Sequence, residues 1–184
     1  MIDKKVGVPE NLDTDSKMIF IQDVIKRYDN YIISTNAKAS LIIAFNSLII
    51  GTVLLKFGDI TSFYNSSEVE GAVGLFLVLI SISSLFSLYF VFSVVYPYFG
   101  GKTDDENQQN SLVYFGSVCK LSGREYLDRL ETCSNTELIE DLTMQANILA
   151  KGLNSKMVKM RISIGAITFT LVFILILVIL RAAE

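Results

Sequence analysis

The chain contains no histidine. That removes the commonest general base and the commonest zinc ligand together. Its two cysteines, Cys119 and Cys133, have no metal-ligand spacing and no histidine to complete a set, so no metal site and no cofactor are expected. They read as free thiols on the reducing side rather than as a disulfide. The formal net charge is −3, which supplies no general basic field, so nucleic acid is not expected as a partner. There is no glycine-rich phosphate loop of the Walker kind and no nucleophile beside a base, hence no enzyme signature and no catalytic residue to nominate. Strand-like alternation and internal repeats are also missing.

Long apolar runs are what the chain has instead. Over 184 residues it is 51% hydrophobic, and its mean hydropathy is +0.46, too apolar for an ordinary soluble domain. Three stretches carry no charge: 39–55, 71–101 and 162–180. Each is bracketed by charge: Lys38 and Lys56, Glu70 and Lys102, Arg161 and Arg181. A spanning helix needs about 20 mostly apolar residues, and inside a bilayer the backbone must satisfy itself as helix. The expected fold class is therefore an all-α membrane protein with three transmembrane helices in contact with membrane lipid. In the second stretch, Tyr96-Pro97 and Gly100-Gly101 read as the exit, because proline disfavours helix before it and paired glycines break it. The first residues have no apolar core or small-residue cleavage site of a signal peptide, so the first span is expected to persist as a signal anchor.

Lysine and arginine are unevenly spread. Six precede the first span, none lies in 58–70, eight lie between the second and third spans, and only Arg181 follows the third. The positive-inside rule then places the N-terminus and the long connection in the cytoplasm of a multi-pass membrane protein. The resulting division is 1–38, a cytoplasmic tail with an amphipathic helix; 39–57, first span; 58–70, external loop; 71–99, second span; 100–161, cytoplasmic helical region; 162–180, third span; and 181–184, external tail.

The cytoplasmic segments show helical spacing. Met18, Ile21, Val24, Ile25, Tyr28 and Ile32 form one stripe, with Asp15 or Ser16 as the expected N-cap, and the pattern runs into the first span without a breaker. Ser122 with Glu125 and Ser134 with Glu137 match capping boxes. The second opens a long helix through Leu138, Leu142, Leu149 and Met160 into the third span, with Gly152 and Asn154 as a candidate bend. These stripes predict a cytoplasmic helical bundle formed by helix extensions and the 102–161 connection.

Within the spans, Asn46 and the serines Ser81, Ser84 and Ser87 make a polar face. Two readings stand: helix packing through small polar residues, or a face that lines a water path once subunits rearrange. Three spans cannot enclose such a path alone, so the second reading requires a homo-oligomer. No ionisable residue lies mid-span, which argues against a proton-coupled transporter or a voltage sensor.

Several short motifs resemble the transmembrane effectors of the bacterial Pycsar antiphage system. Asn36-Ala37-Lys38-Ala39 resembles that family's Asp-x-Lys-Ala motif, with asparagine here at the acidic position. Tyr96-Pro97 resembles its exit proline. Tyr114-Phe115-Gly116 and Ser122-Gly123-Arg124-Glu125-Tyr126 resemble its Phe-Gly and Ser-x-x-Glu-Tyr elements. Gln145 to Ala150, followed by Lys156 and Arg161, is similar to its helix leading into the last span. The resemblance implies antiphage defence: a cyclic pyrimidine mononucleotide (cCMP or cUMP) made on infection activates the effector, which impairs the inner membrane and causes growth arrest or abortive infection.

A receptor for such a ligand needs cations or backbone donors for the phosphate and often an aromatic for the base. The candidates are Lys38, Tyr114, Lys120, Ser122, Arg124, Tyr126, Lys156 and Arg161. Arg124 is the first choice, because it lies in the first turn of an expected helix. Against this, Lys38, Lys156 and Arg161 stand where positive-inside residues belong and could touch only lipid phosphate, while the tyrosines could simply fill a core. The alternative function is a non-gated membrane scaffold that recruits a cytoplasmic partner through its helices.

Overall fold

The structure, a computed structural model, describes residues 13–63, 67–97 and 110–183. The start of the chain, the Gly100-Gly101 exit, most of the polar connection after it and Glu184 lie outside the described residues. Among the described residues there are five helices: α1 (Thr14–Thr61), α2 (Ser67–Val95), α3 (Phe115–Val118), α4 (Gly123–Thr132) and α5 (Asn135–Ala183). Among the described residues there is no strand. Three helices, α1, α2 and α5, are long and apolar enough to cross a membrane.

Two of these helices carry polar extensions, as the uninterrupted stripes predicted. α1 is 48 residues long and α5 is 49. α1 starts two residues before the expected cap. Asp13, not Asp15 or Ser16, accepts the Ser16 N–H at 3.1 Å through Oδ1, while its own carbonyl takes the Lys17 N–H. Asp15 and Ser16 fall inside the first turn, where a carboxylate favours the helix dipole without capping it. The expected stripe from Met18 to Ile32 is the less exposed face of α1. α5 continues through Gly152 and Asn154 without interruption. A glycine costs a helix only about 1 kcal/mol, and many neighbouring intrahelical bonds carry it. The 58–70 segment is mostly helical as well: α1 extends to Thr61, held by a Lys56–Asp59 ion pair at 2.7 Å, and α2 begins at Ser67.

The chain divides into two compact units. The division falls inside α1 after Tyr31 and inside α5 after Leu153. The membrane unit contains the remainder of α1, all of α2 and the remainder of α5. Its interior is layered. At one end Ala39, Val91, Val94 and Met160 pack together. At the other, Ile49, Val53, Val73, Leu77, Ile80 and Leu177 do. Between these layers in sequence along all three helices lie Asn46, Ser87 and Ser163, each fully buried. Outward faces carry exposed Leu41, Leu48, Leu75, Ile82, Phe86 and Leu171, which suit a hydrocarbon solvent.

The second unit contains the first part of α1, α3, α4 and the first part of α5. Leu142 is its buried apolar side chain; Ser111, Ser117 and Gln145 are buried polar groups. Both expected capping boxes form. Ser122 Oγ accepts the Glu125 N–H at 3.2 Å and Glu125 Oε2 accepts the Ser122 N–H at 2.7 Å. Ser134 and Glu137 repeat the pattern at 3.3 and 2.8 Å. Both cysteines are free thiols.

The caps set an acid dependence. The Ser122 backbone N–H, then the Ser122 hydroxyl, hold the Glu125 carboxyl below the ordinary glutamate range, and Ser134 does the same for Glu137. A carboxyl depressed in the folded state stabilises it above its ordinary range, and that contribution is lost as pH falls through the lowered folded value. The thermal stability of the detergent-solubilised protein is therefore expected to fall with acid below the ordinary glutamate range. The Glu125→Gln, Glu137→Gln double variant is expected to lose part of that slope.

Candidate functional site

Within the second unit, one carboxylate organises the segment that joins the polar connection to α3. Asp141, on α5, accepts the Ser111 hydroxyl at 2.6 Å, the Leu112 N–H at 2.8 Å and the Val113 N–H at 3.3 Å. Ser111 Oγ in turn accepts the Tyr114 N–H at 2.9 Å, and the Gln145 amide reaches it at 3.4 Å. Tyr126, on α4, donates its hydroxyl to the Leu112 carbonyl at 3.0 Å. The segment before α3 is thus pinned from both α4 and α5. Charge-assisted bonds of this kind are the stronger class. Asp141 was not among the residues singled out from the sequence. The signal it offered was an acid one position before Leu142 in an otherwise apolar stripe.

Tyr114 is half-buried, and its ring lies over Gly116. A Cβ at Gly116 would come within 2.5 Å of the Tyr114 ring, so glycine here lets the ring fold back across the start of α3. The Phe115 ring lies 4.9 Å from that of Tyr114, tilted at 58° to it, and is itself 67% exposed. Ser122, Lys120 and Arg124 are exposed. Glu125, by capping α4, already places a carboxylate at the helix start where an anion would otherwise be favoured. A cleft of roughly 360 Å³ in this unit is lined by Arg129, Glu137, Glu140 and Asp141 among others, an acidic wall that does not suit a phosphate.

Lys38, Lys156 and Arg161 belong to the membrane unit. Lys38 and Arg161 are exposed. Lys156 is only 7% exposed. Its ammonium donates to the Val94 carbonyl, to Asn36 Oδ1 at 3.1 Å and to the Tyr96 carbonyl at 3.5 Å. The last four carbonyls of a helix lack intrahelical donors, and a proline at the exit supplies no N–H to continue the ladder. Lys156 therefore caps the C-terminus of α2, with the favourable sign for the helix dipole. It also ties together one end of all three helices. Asn36 gives the buried ammonium a neutral acceptor.

The intramembrane polar residues meet at mid-span. Asn46 Nδ2 donates to Ser87 Oγ at 3.1 Å and to the Ile42 carbonyl at 3.0 Å. Ser87 and Ser163 hydroxyls are 2.8 Å apart, and Ser163 Oγ also reaches the Ser87 carbonyl at 3.1 Å. Ser83 bonds the Ala166 carbonyl at 2.8 Å. Ser81 bonds its own helix, at the Leu77 carbonyl. Ser84 is fully buried. Asn46, Ser84 and Ser87 are thus turned into the three-helix interior, and Ser163 is the partner that the sequence reading did not name. Asn46 Oδ1 and Ser84 Oγ have no hydrogen-bond partner among the described residues.

Three membrane-capable helices with a buried polar seam define an all-α membrane protein. The family model of the Pycsar effector protein domain matches residues 20–183, and the chain belongs to that family. No curated protein and no solved structure matches it. A Pycsar effector domain on membrane-spanning helices fits an antiphage membrane effector.

Two substitutions separate these nodes. Asp141→Ala is expected to lower unfolding stability by about 2 kcal/mol, because two backbone donors and a hydroxyl lose a charged acceptor. Asn36→Asp is expected to raise it by about 1 kcal/mol, because Lys156 gains a carboxylate at hydrogen-bond distance. Denaturant titration of each solubilised variant against the parent checks both.

Proposed function

We propose that this protein is a cyclic-nucleotide-activated effector of bacterial antiphage defence, located in the inner membrane with its N-terminus in the cytoplasm. On binding a cyclic pyrimidine mononucleotide, cCMP or cUMP, it impairs membrane integrity and so arrests growth or aborts infection. Membership of the Pycsar effector family is the observation that carries this reading. The charge distribution supports the orientation, since the segments before α1's apolar part and before α5's apolar part hold most of the lysine and arginine.

The mechanism is a two-state shift. Residues of the second unit share α1 and α5 with the membrane unit, so a ligand that favours one arrangement of the helical region biases the same helices in the bilayer. The buried Asn46–Ser87–Ser163 seam is the polar surface that a rearranged homo-oligomer has available to line a water path. Tyr114, Lys120, Ser122, Arg124 and Tyr126 are the ligand residues proposed in the second unit. Lys38, Lys156 and Arg161 are those proposed at the membrane boundary, where Lys156 reaches a phosphate only by leaving the end of α2.

A second reading, a membrane scaffold for a cytoplasmic partner, draws on α4, where Leu127 and Leu130 are 52% and 44% exposed. Release of a self-quenched dye from proteoliposomes separates the two. Micromolar cCMP or cUMP is expected to trigger release, and Arg124→Ala is expected to shift the midpoint about tenfold upward, the loss of one charged hydrogen bond. Folded protein that releases no dye with any cyclic nucleotide rules the effector reading out in favour of the scaffold.

A further inference from the structure

Within the membrane unit, α1 is held differently from its two neighbours. α2 and α5 are tied at several levels: the Ser87 and Ser163 hydroxyls meet at 2.8 Å, Ser83 donates to the Ala166 carbonyl at 2.8 Å, and Lys156 donates to the Val94 carbonyl. α1 joins this pair through Asn46 on Ser87 at 3.1 Å, through Asn36, which accepts from Lys156 at 3.1 Å, and through the Thr35 hydroxyl, 4.0 Å from the Met157 sulfur. Just past its end, Arg181 reaches the Phe63 carbonyl with a long side chain. Asn46 opposite Ser87 fixes the register of two antiparallel helices. Val53 is then level with Ile80 and Ala39 with Val94, and each pair shares one of the apolar layers. Ser84 lies one rung from Ser87 on the same face of α2, about 4.5 Å along it. Ser84 is fully buried, and its Oγ has no hydrogen-bond partner among the described residues. Neither has Asn46 Oδ1. A hydroxyl able to donate and an oxygen able to accept thus stand one rung apart on facing helices.

We propose that the membrane unit has a second register, in which α1 slides one rung toward the N-terminus of α2 and Asn46 exchanges Ser87 for Ser84. Three features support it. The exchange is one bond for one: Asn46 keeps its own-helix bond to the Ile42 carbonyl at 3.0 Å, Ser87 keeps Ser163, and Oδ1 gains the Ser84 hydroxyl as donor. The apolar layers accept the slide, since Val53 comes level with Leu77 and Ala39 with Val91, residues of the same two layers. The sense is fixed as well. The opposite slide would bring Asn46 level with Phe90. In the observed register Thr61 is level with Ala72 while α2 begins at Ser67, so the proposed slide shortens an overhang of about 7.5 Å and does not stretch the connection. Lys156 is the brake, because the slide carries Asn36 about 4.5 Å away from its ammonium. One-turn displacements of a packed element are a known form of two-state switch. Use of this slide as the gate rests on the effector function proposed above; the second register itself does not.

The test uses the full chain in proteoliposomes, carrying Cys119→Ser and Cys133→Ser. Val53→Cys with Ile80→Cys reports the observed register, and Val53→Cys with Leu77→Cys the proposed one, because a disulfide needs Cα atoms within about 7 Å. Under mild oxidation the Leu77→Cys pair is expected to crosslink more slowly than the Ile80→Cys pair. Adding Ser84→Ala is expected to slow the Leu77→Cys pair about tenfold further, the worth of one hydrogen bond, and to leave the Ile80→Cys pair and the helicity unchanged. Asn36→Asp is expected to slow the Leu77→Cys pair too. Ser93→Ala is expected to slow neither, since Ser93 bonds its own helix at the Tyr89 carbonyl. A Leu77→Cys pair whose rate ignores Ser84→Ala overturns the second register. In the same vesicles cCMP or cUMP is expected to speed the Leu77→Cys pair, and Ser84→Ala alone to raise the midpoint of dye release about tenfold. Dye release with an unchanged midpoint overturns the slide as the gate. Crosslinking that obeys Ser84→Ala while no cyclic nucleotide releases dye upholds the second register and overturns the effector reading instead.

Discussion

The scarcity of hydrogen-bond partners in hydrocarbon governs this structure. Water cannot satisfy a polar group at mid-membrane, so the backbone must be helical and a polar side chain gains by finding a neighbour or turning back on its own helix, Ser84 Oγ and Asn46 Oδ1 being the exceptions among the described residues. Both solutions are visible. Ser81, Thr52 and Thr168 bond carbonyls four residues earlier, which leaves a helix face smooth toward lipid. Asn46, Ser87 and Ser163 bond one another, which fixes α1, α2 and α5 in one register. Apolar packing alone specifies register weakly in a bilayer, because a leucine gains little by exchanging a lipid tail for another leucine. The seam supplies the discrimination that the two apolar layers on either side of it do not.

The second unit works under the opposite condition. Its helices are short or are extensions of longer ones, and few of its side chains are apolar and buried. Its order comes from end-to-end polar chemistry: reciprocal serine–glutamate caps at the starts of α4 and α5, and Asp141 gathering the donors of the segment before α3. Few of its apolar side chains are buried, and Phe115, Leu127 and Leu130 stay open to solvent. Such a unit is held by a few directional contacts, and one lost contact changes it more than it would a packed core.

Much of this architecture was legible in the residues. Uncharged length identified the three spans, and unbroken 3.6-residue spacing showed that α1 and α5 extend beyond them. Serine–glutamate pairs at three-residue spacing located two helix starts, because the motif encodes both halves of its own hydrogen-bond exchange. The start of α1 was misplaced by two residues, since Asp13, Asp15 and Ser16 are all competent caps and only the backbone path chooses among them. Local sequence did not reveal the partners of Asp141, Ser163 and Lys156. Each depends on a partner thirty or more residues away: Ser111, Ser87 and Val94. Lys156 in particular looked like one of several boundary cations, and only the fold shows it turned inward onto a helix end.

That inward turn bears on how the chain is assembled. The donor that completes the end of α2 lies 62 residues downstream of the carbonyl it serves. Until α5 is in place those terminal carbonyls lack this donor, so that end of α2 is finished only once the third span has joined it. Insertion of the last segment and maturation of the second are in this sense a single event, and a truncated product lacking α5 carries a second span whose lower rim stays unsealed.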